Sequence, residues 1–281
     1  MNKLKFFFGK NTDQELKKIG LLLTKVFKKK FELNYLKWLY SDNPHGKAIT
    51  FNISKNENIV GHYAVIPSEI CINNKIYKAA LSLNTAVDDN FRGKGFFKIM
   101  AKKTFEKCVK KKIKFIFDVS NNQSTKLFIR DFNFKNFGEL NVMFGVGKIN
   151  QNSNKIKFKV NWDNKSFNWR LSNPRTKYTI DHNKKNKIDI YKKLYRIINV
   201  HMGEFKKKST SKLKNNNNFN FLNLYVGLGG GNLKNLFSFN LPKTLKPSPL
   251  NFILKDLSSN NNNLKLKRKN IFFQLLDFDA F

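Results

Sequence analysis

Within this chain of 281 residues, Arg92-Gly93-Lys94-Gly95 is the stretch whose residue types and spacing bear most directly on chemistry. Its glycines tolerate positive φ and let consecutive backbone amides face outward, while Arg92 and Lys94 add positive charge. The apolar run 81–87 leads into the turn 88–94, and Phe97, Ile99, Met100, Phe105 and Val109 leave it at helical spacing. A strand feeding a glycine turn at a helix N-terminus is a place for phosphate, because unpaired N–H groups and the positive end of the helix dipole converge there.

The elements that must position this turn follow from periodicity. Residues 12–30 carry Leu16, Ile19, Gly20, Leu23, Val26 and Phe27 on one helical face, with Thr12 and Asp13 available as N-cap. A shorter helix over 34–40 stops at Asn43-Pro44, since a residue before proline is driven out of helical geometry. Runs 48–53 and 59–67 flank a polar turn and predict a hairpin; 70–72 and 76–80 flank Asn73-Asn74, the expected tip of another. The glycine turn then opens a helix from 95 to about 111, with a strand over 113–119 behind it. Polar residues 120–124 cap a helix to about 131, and 134–147 supplies further strand, closing an α+β module near residue 150.

The second half repeats a detail of the first. Trp38, Ser41, Asn43 and Pro44 have counterparts in Trp169, Ser172, Asn173 and Pro174, each set followed by a strand-like stretch. A duplicated module, 1–150 and 151–281, is the expectation, with strands at 188–191, 197–201, 221–226 and 271–276 and a loop over 206–218. Leu228-Gly229-Gly230-Gly231-Asn232 stands where a second phosphate turn would be sought, but it lacks the arginine and reads as a degenerate site or plain loop.

Composition narrows the classes. Hydrophobic residues make up 41% of the chain, 29 of them Phe, which is ample for a core. The net charge of +35 invites a nucleic-acid role, yet only six of 54 basic residues are Arg, the side chain suited to bidentate recognition of phosphates and bases. Lys, Asn and Phe also share A/T-rich codons, so the charge reads mainly as solvated surface, and a nucleic-acid partner is not expected. Cys71 and Cys108 lie 37 apart with no zinc-like spacing, so no metal is expected. Gly9-Lys10-Asn11 cuts short the apolar start, which predicts no membrane insertion and a soluble, cytoplasmic protein.

The segment from Leu83 to Phe97 resembles motif A of the GNAT superfamily of N-acetyltransferases, where a strand is followed by Arg/Gln-x-x-Gly-x-Gly/Ala and a helix. Arg92 and Gly95 match, and Phe97 stands where Gly or Ala is usual. The resemblance spans roughly residues 1–150, possession of a tandem form being carried by the Trp…Asn-Pro echo. It implies a mixed, mostly antiparallel sheet with flanking helices and acetyl-CoA as acyl donor, with no metal. It further implies that the amides of Gly93, Lys94, Gly95, Phe96 and Phe97 bind the pyrophosphate beside Arg92. Thr85, Ala86 and Val87 would pair with the pantetheine arm, with an amide near Val87 polarising the thioester, while Asn121 and Ser124 border the arm's far side.

Transfer to an amine needs a base, and His62, Asp118 and Glu69 are the candidates. Many relatives protonate the leaving thiolate with a Tyr seven residues after the Asn of the final motif; here that position is Phe128, leaving Tyr63, a water or an unassisted thiolate. The leading expectation is an acyl-CoA-dependent N-acyltransferase acting on a small-molecule amine, such as an amino sugar or nucleotide sugar. The alternatives are a tRNA-dependent aminoacyl transferase and a non-catalytic, basic RNA- or anionic-surface-binding protein on the same fold.

Overall fold

In a computed structural model of the chain, the described residues are 3–146, 150–151, 156–184, 186–194, 197–206, 222–229, 233–234, 237–240, 249–258 and 265–278. The first half runs β1 (Lys5–Phe8), α1 (Asp13–Phe27), α2 (Leu33–Tyr40), β2 (Ile49–Lys55), β3 (Asn58–Ile72), β4 (Lys75–Val87), α3 (Phe96–Lys110), β5 (Phe115–Ser120), α4 (Asn122–Phe132), β6 (Lys135–Glu139) and β7 (Asn141–Val146). The second half runs β8 (Asn150–Gln151), β9 (Phe158–Val160), α5 (Asn164–Leu171), β10 (Tyr178–Lys184), β11 (Lys187–Leu194), β12 (Ile198–Lys206), β13 (Leu222–Leu228), β14 (Leu233–Lys234), β15 (Phe237–Asn240), β16 (Asn251–Asp256), β17 (Phe273–Gln274) and α6 (Leu275–Phe278).

Local chemistry sets most of the boundaries. Thr12 caps α1 by accepting from the Glu15 amide, and Asn121 caps α4 by accepting from the Ser124 amide, each satisfying a donor that the helix itself leaves open. Asn73 and Asn74, both at positive φ, make the two-residue tip between β3 and β4. The four short strands read from 59–87 are thus two long ones. Pro67 did not break β3 because it lies beyond the last β2 pair, Ile49 with Val65, and before the first β9 pair, Ile70 with Val160. The run 271–276 is mostly not a strand: Phe273–Gln274 pairs briefly with β13 and the chain then turns into α6.

Two mixed, mostly antiparallel sheets result. The first has the order β1-β2-β3-β4-β5-β16-β6, with β9 on β3; the second is β10-β11-β12-β13-β7-β15, with β17 on β13. The succession antiparallel, antiparallel, parallel recurs: β2-β3-β4-β5 in one sheet and β10-β11-β12-β13 in the other. The fold is a duplicated α+β module of GNAT-like form. The sheets exchange strands, because β7 from the first half joins β13 and β16 from the second half joins β5. A division near residue 150 therefore cuts between elements and not between sheets.

The exchange has an energetic counterpart. One buried cluster includes Phe115 and Phe117 of β5, Phe252 of β16, and Ile188, Ile190 and Met202 of the second sheet, so both modules share one core. Separate clusters lie on the two faces of the first sheet, one under α3 with Tyr63, Val65 and Phe96, the other under α1 and α2 with Ala64, Ile66 and Ala86. Cys108 is buried and Cys71 partly so, both as free thiols. Among the described residues no helix is long and apolar enough to cross a membrane.

Candidate active site

β4 and β5 run parallel for three pairs only, Ala79 to Leu81 against Phe115 to Phe117. Beyond them β4 keeps β3 and β5 keeps β16 on the opposite edges, but β4 and β5 no longer pair with each other. The gap opens into a cleft of about 430 Å³, with Ser82, Asn84 and Thr85 on one side and Asp118, Ser120 and Asn121 on the other. Ser124 and Phe128 of α4 also line it, and Phe31 and Tyr35 from just before and within α2, Arg170 and Arg175 from within and just after α5, and Phe278 of α6 close it. The second half of the chain thus supplies one wall.

Asp118 is the carboxylate of this cleft among the described residues. It is buried, and burial pushes its carboxyl up to about 7 against hydrogen bonds from Ser82 and the Val119 amide that pull the other way. Ser82 Oγ donates to Asp118 Oδ2 at 2.8 Å and accepts from Tyr63 Oη at 2.9 Å. A carboxyl half-ionised near neutrality and held by a directed hydroxyl is suited to accept a proton.

His62 and Tyr63 are neighbours on β3 and so face opposite sides of the sheet. Neither lines the cleft. Tyr63 is fully buried on the α3 side, its hydroxyl committed to Ser82, and its own ionisation is pushed far up by burial. His62 lies on the α1–α2 side, fully buried, with its pKa lowered to about 3 by burial, so it is neutral. Both are enclosed groups whose hydrogen bonds go to other residues of the chain. Glu69 is also elsewhere, accepting from Asn161 Nδ2 at 2.9 Å near β9.

The partners of His62 fix what it does. Asn52 Nδ2 donates to Glu15 Oε1 at 2.6 Å, so the Asn52 oxygen faces His62 Nδ1 at 2.7 Å and that nitrogen carries the proton. Nε2 then accepts from Tyr40 Oη at 2.9 Å, and Tyr40 Oη accepts from Asn84 Nδ2 at 2.9 Å. A chain of donors therefore runs from Asn84 in the cleft to the Glu15 carboxylate at the start of α1. Asn84 needs this support: it sits at φ 53 in the β4 bulge, where two residues, Asn84 and Thr85, oppose Tyr63.

The glycine turn lies at the far end of β4. Gly93 and Gly95 have φ 77 and 71, and nothing stands within 4 Å of where a Cβ on either would be. Residues 92–95 are exposed and Gly95 is the N-cap of α3, so the turn stands open at a helix N-terminus, the positive end of the helix dipole. Arg92 pairs with Asp89 at 2.7 Å and Lys94 lies over the Phe91 ring, so both cations are already engaged in the turn. Phe96 is buried, Ala86 is buried and Val87 partly so; Phe97 packs edge-on against Phe128 and Tyr63. The aromatic at position 97 thus fills the core beneath the turn and leaves the amide side open. Asn121 and Ser124, by contrast, both border the cleft.

The first turn lies between β4 and β5; the corresponding interval between β12 and β13, 207–221, lies outside the described residues, and Gly229 follows β13. The rest of that glycine run, 230–232, and the loop over 207–218 are likewise outside the described residues. Three cleft features escaped sequence reasoning: Ser82, Asn84 and the pair Arg170 and Arg175. The arginines had a signal, being two of only six, next to the repeated Trp and Asn-Pro.

A parted pair of parallel strands, a glycine turn at a helix start and a duplicated mixed sheet define an acetyltransferase class of fold. Residues 9–128 match the family model of the acetyltransferase (GNAT) domain, so that part of the chain is similar to GNAT acetyltransferase domains. Solved structures carry the likeness through the second half as well. A GCN5-related N-acetyltransferase from Anabaena variabilis aligns over 90% of this chain and 73% of its own, with 12% identity and a TM-score of 0.61. A probable N-acyltransferase from Enterococcus faecalis V583 aligns over 91% and 73%, with 12% identity and a TM-score of 0.59. A GCN5-related N-acetyltransferase from Kribbella flavida aligns over 90% and 71%, with 7% identity and a TM-score of 0.57. At these identities the likeness is one of fold. No curated protein sequence matches the chain.

Proposed function

We propose that the chain is an acyl-CoA-dependent N-acyltransferase that moves an acetyl group from acetyl-CoA to an amine of a small metabolite. The observation that carries this is the buried Asp118 carboxyl, raised to about 7, in the gap where β4 leaves β5. Bound acetyl-CoA would supply the activated thioester carbon. The amides of residues 93–97 and the α3 N-terminus would hold its pyrophosphate, and the inner edge of β4 from Thr85 to Val87 would pair with its arm. The amine would lie against Asp118, whose carboxylate takes the proton as nitrogen bonds to the acyl carbon. Ser82, itself oriented by Tyr63, keeps that carboxylate aimed. The thiolate would leave without a side-chain donor, since Phe128 has no proton to give and a thiol of pKa ~8.5 is a competent leaving group.

Calorimetric titration with acetyl-CoA and thiol release with a panel of amines test this. Binding in the micromolar range and amine-dependent thiol release are expected. Asp118→Asn should retain binding and lose about 10²- to 10⁴-fold in kcat. No acetyl-CoA binding at all would end the proposal.

A further inference from the structure

We infer that the acceptor is an anionic amine, carrying a carboxylate or phosphate that docks on Arg175 while its amine faces Asp118. This rests on the acyltransferase proposal for the amine end only; the anion site stands on its own geometry.

Arg175 lines the cleft with its guanidinium 3.6 Å from the centre of the Tyr35 ring and 4.9 Å from that of Phe31. Rings beneath a guanidinium hold its plane and leave its edge N–H groups for a partner in that plane, the arrangement that suits a two-oxygen anion. One of those donors is given to the Lys30 carbonyl. Among the described residues no carboxylate pairs with Arg175: Glu32 acts on it only through space and is itself held by Lys30 at 2.7 Å.

The surroundings reinforce the sign. Lys29, Arg170 and Arg175 all line the cleft, against Asp118 alone. Arg170 is 4% exposed and sits over the rings of Trp38, Trp162 and Trp169, with Asp277 acting on it electrostatically. Aromatic walls around Arg175 leave its field on an anionic solute little screened. A neutral or cationic amine would leave Arg175 without an ionic partner and would gain nothing from the field.

Both arginines come from α5 and the turn after it, so the second module would choose the acceptor that the first module acylates. The reciprocal tryptophan contact makes this placement rigid. Trp38 and Trp169 stack at 5.0 Å, and each indole N–H donates to the other's carbonyl, at 2.8 and 2.9 Å.

Calorimetry on the full chain with coenzyme A present tests the inference with matched pairs: glucosamine 6-phosphate against glucosamine, and 4-aminobutyrate against butylamine. At least ten-fold tighter binding of one anionic member is expected, and which pair shows it identifies phosphate or carboxylate. Arg175→Gln should cut that preference below two-fold; Arg175→Lys, which keeps the charge but not the fork, should retain part of it, and melting curves confirm that both fold. Equal binding within both pairs, binding of no member, or a preference that survives Arg175→Gln would overturn the inference. Thiol release with the same compounds separates the two proposals. Equal kcat/KM within each pair sinks the anion site and spares the acyltransferase, whereas an Arg175-dependent preference without thiol release does the reverse.

Discussion

Asp118 lies within β5 with its carboxyl shut away from water, and its protonation links activity to stability. Because burial raises its pKa to about 7, kcat/KM should rise with pH up to about 7 as the carboxylate forms, with no step from His62, whose pKa is lowered to about 3. The raised value also means that the folded state holds its proton more tightly than the unfolded chain does. That contribution is complete below about pH 4 and is lost as pH climbs to 7. Asp118→Asn should therefore raise Tm most above pH 7, the gain shrinking as pH falls from 7 to 4, while activity falls. Tyr40→Phe takes the shared hydroxyl from His62 and Asn84 and should cost about 1–3 kcal/mol in urea unfolding, with a parallel drop in kcat/KM from a loosened bulge. Asp118 could be named from its sequence, as a carboxylate after an apolar run. The fate of His62 could not, since it is decided by Asn52, Tyr40 and the face of β3, none of which a local window contains.

At the scale of elements, the glycine turn and α3 were legible because φ, capping and helix polarity are local properties. The chain's own cations occupy Asp89 and Phe91, so the backbone amides are the part of the turn left for a ligand. Gly95→Ala should cost about 1 kcal/mol through its φ of 71 and leave acetyl-CoA binding largely intact, as nothing lies within 4 Å of the added carbon. Gly95→Glu adds an anion at the same point and should weaken binding at least ten-fold by calorimetry with little further loss in Tm. Affinity unchanged in the Glu variant would show that the pyrophosphate goes elsewhere. Hairpin tips, caps and helix lengths could be read for the same local reason. The merging of 70–72 into β3, and of 76–80 with 81–87 into β4, could not, because sheet neighbours and not residue preferences carry strands past Pro67 and across Asn84.

Across the whole molecule, the exchange of β7 and β16 is the feature least visible in sequence. Neither strand carries a mark of its partner, and β16 meets β5 only because Asn251 to Asp256 pair with Ser120 to Phe115 from the other half. Residues 1–150 alone would keep three pairs on one edge of β5 and none on the other. They should aggregate or melt without a cooperative transition, and co-production with 151–281 should restore the soluble, cooperative protein; a monomeric fragment with a sharp melt would refute this. The duplication was legible from the Trp…Asn-Pro echo, but its meaning was not, since only the fold shows the two tryptophans stacked against each other. The exchange also orders events in time. Ser120 and Asn251, which lie side by side at the end of β5, are 131 residues apart, so at roughly 5–20 residues per second a ribosome takes on the order of ten seconds between making one and the other. Throughout that interval the nascent first sheet waits with an open edge, so output of this protein in a cell should depend on holdase chaperones and on translation speed through the second half more than on the stability of the finished fold.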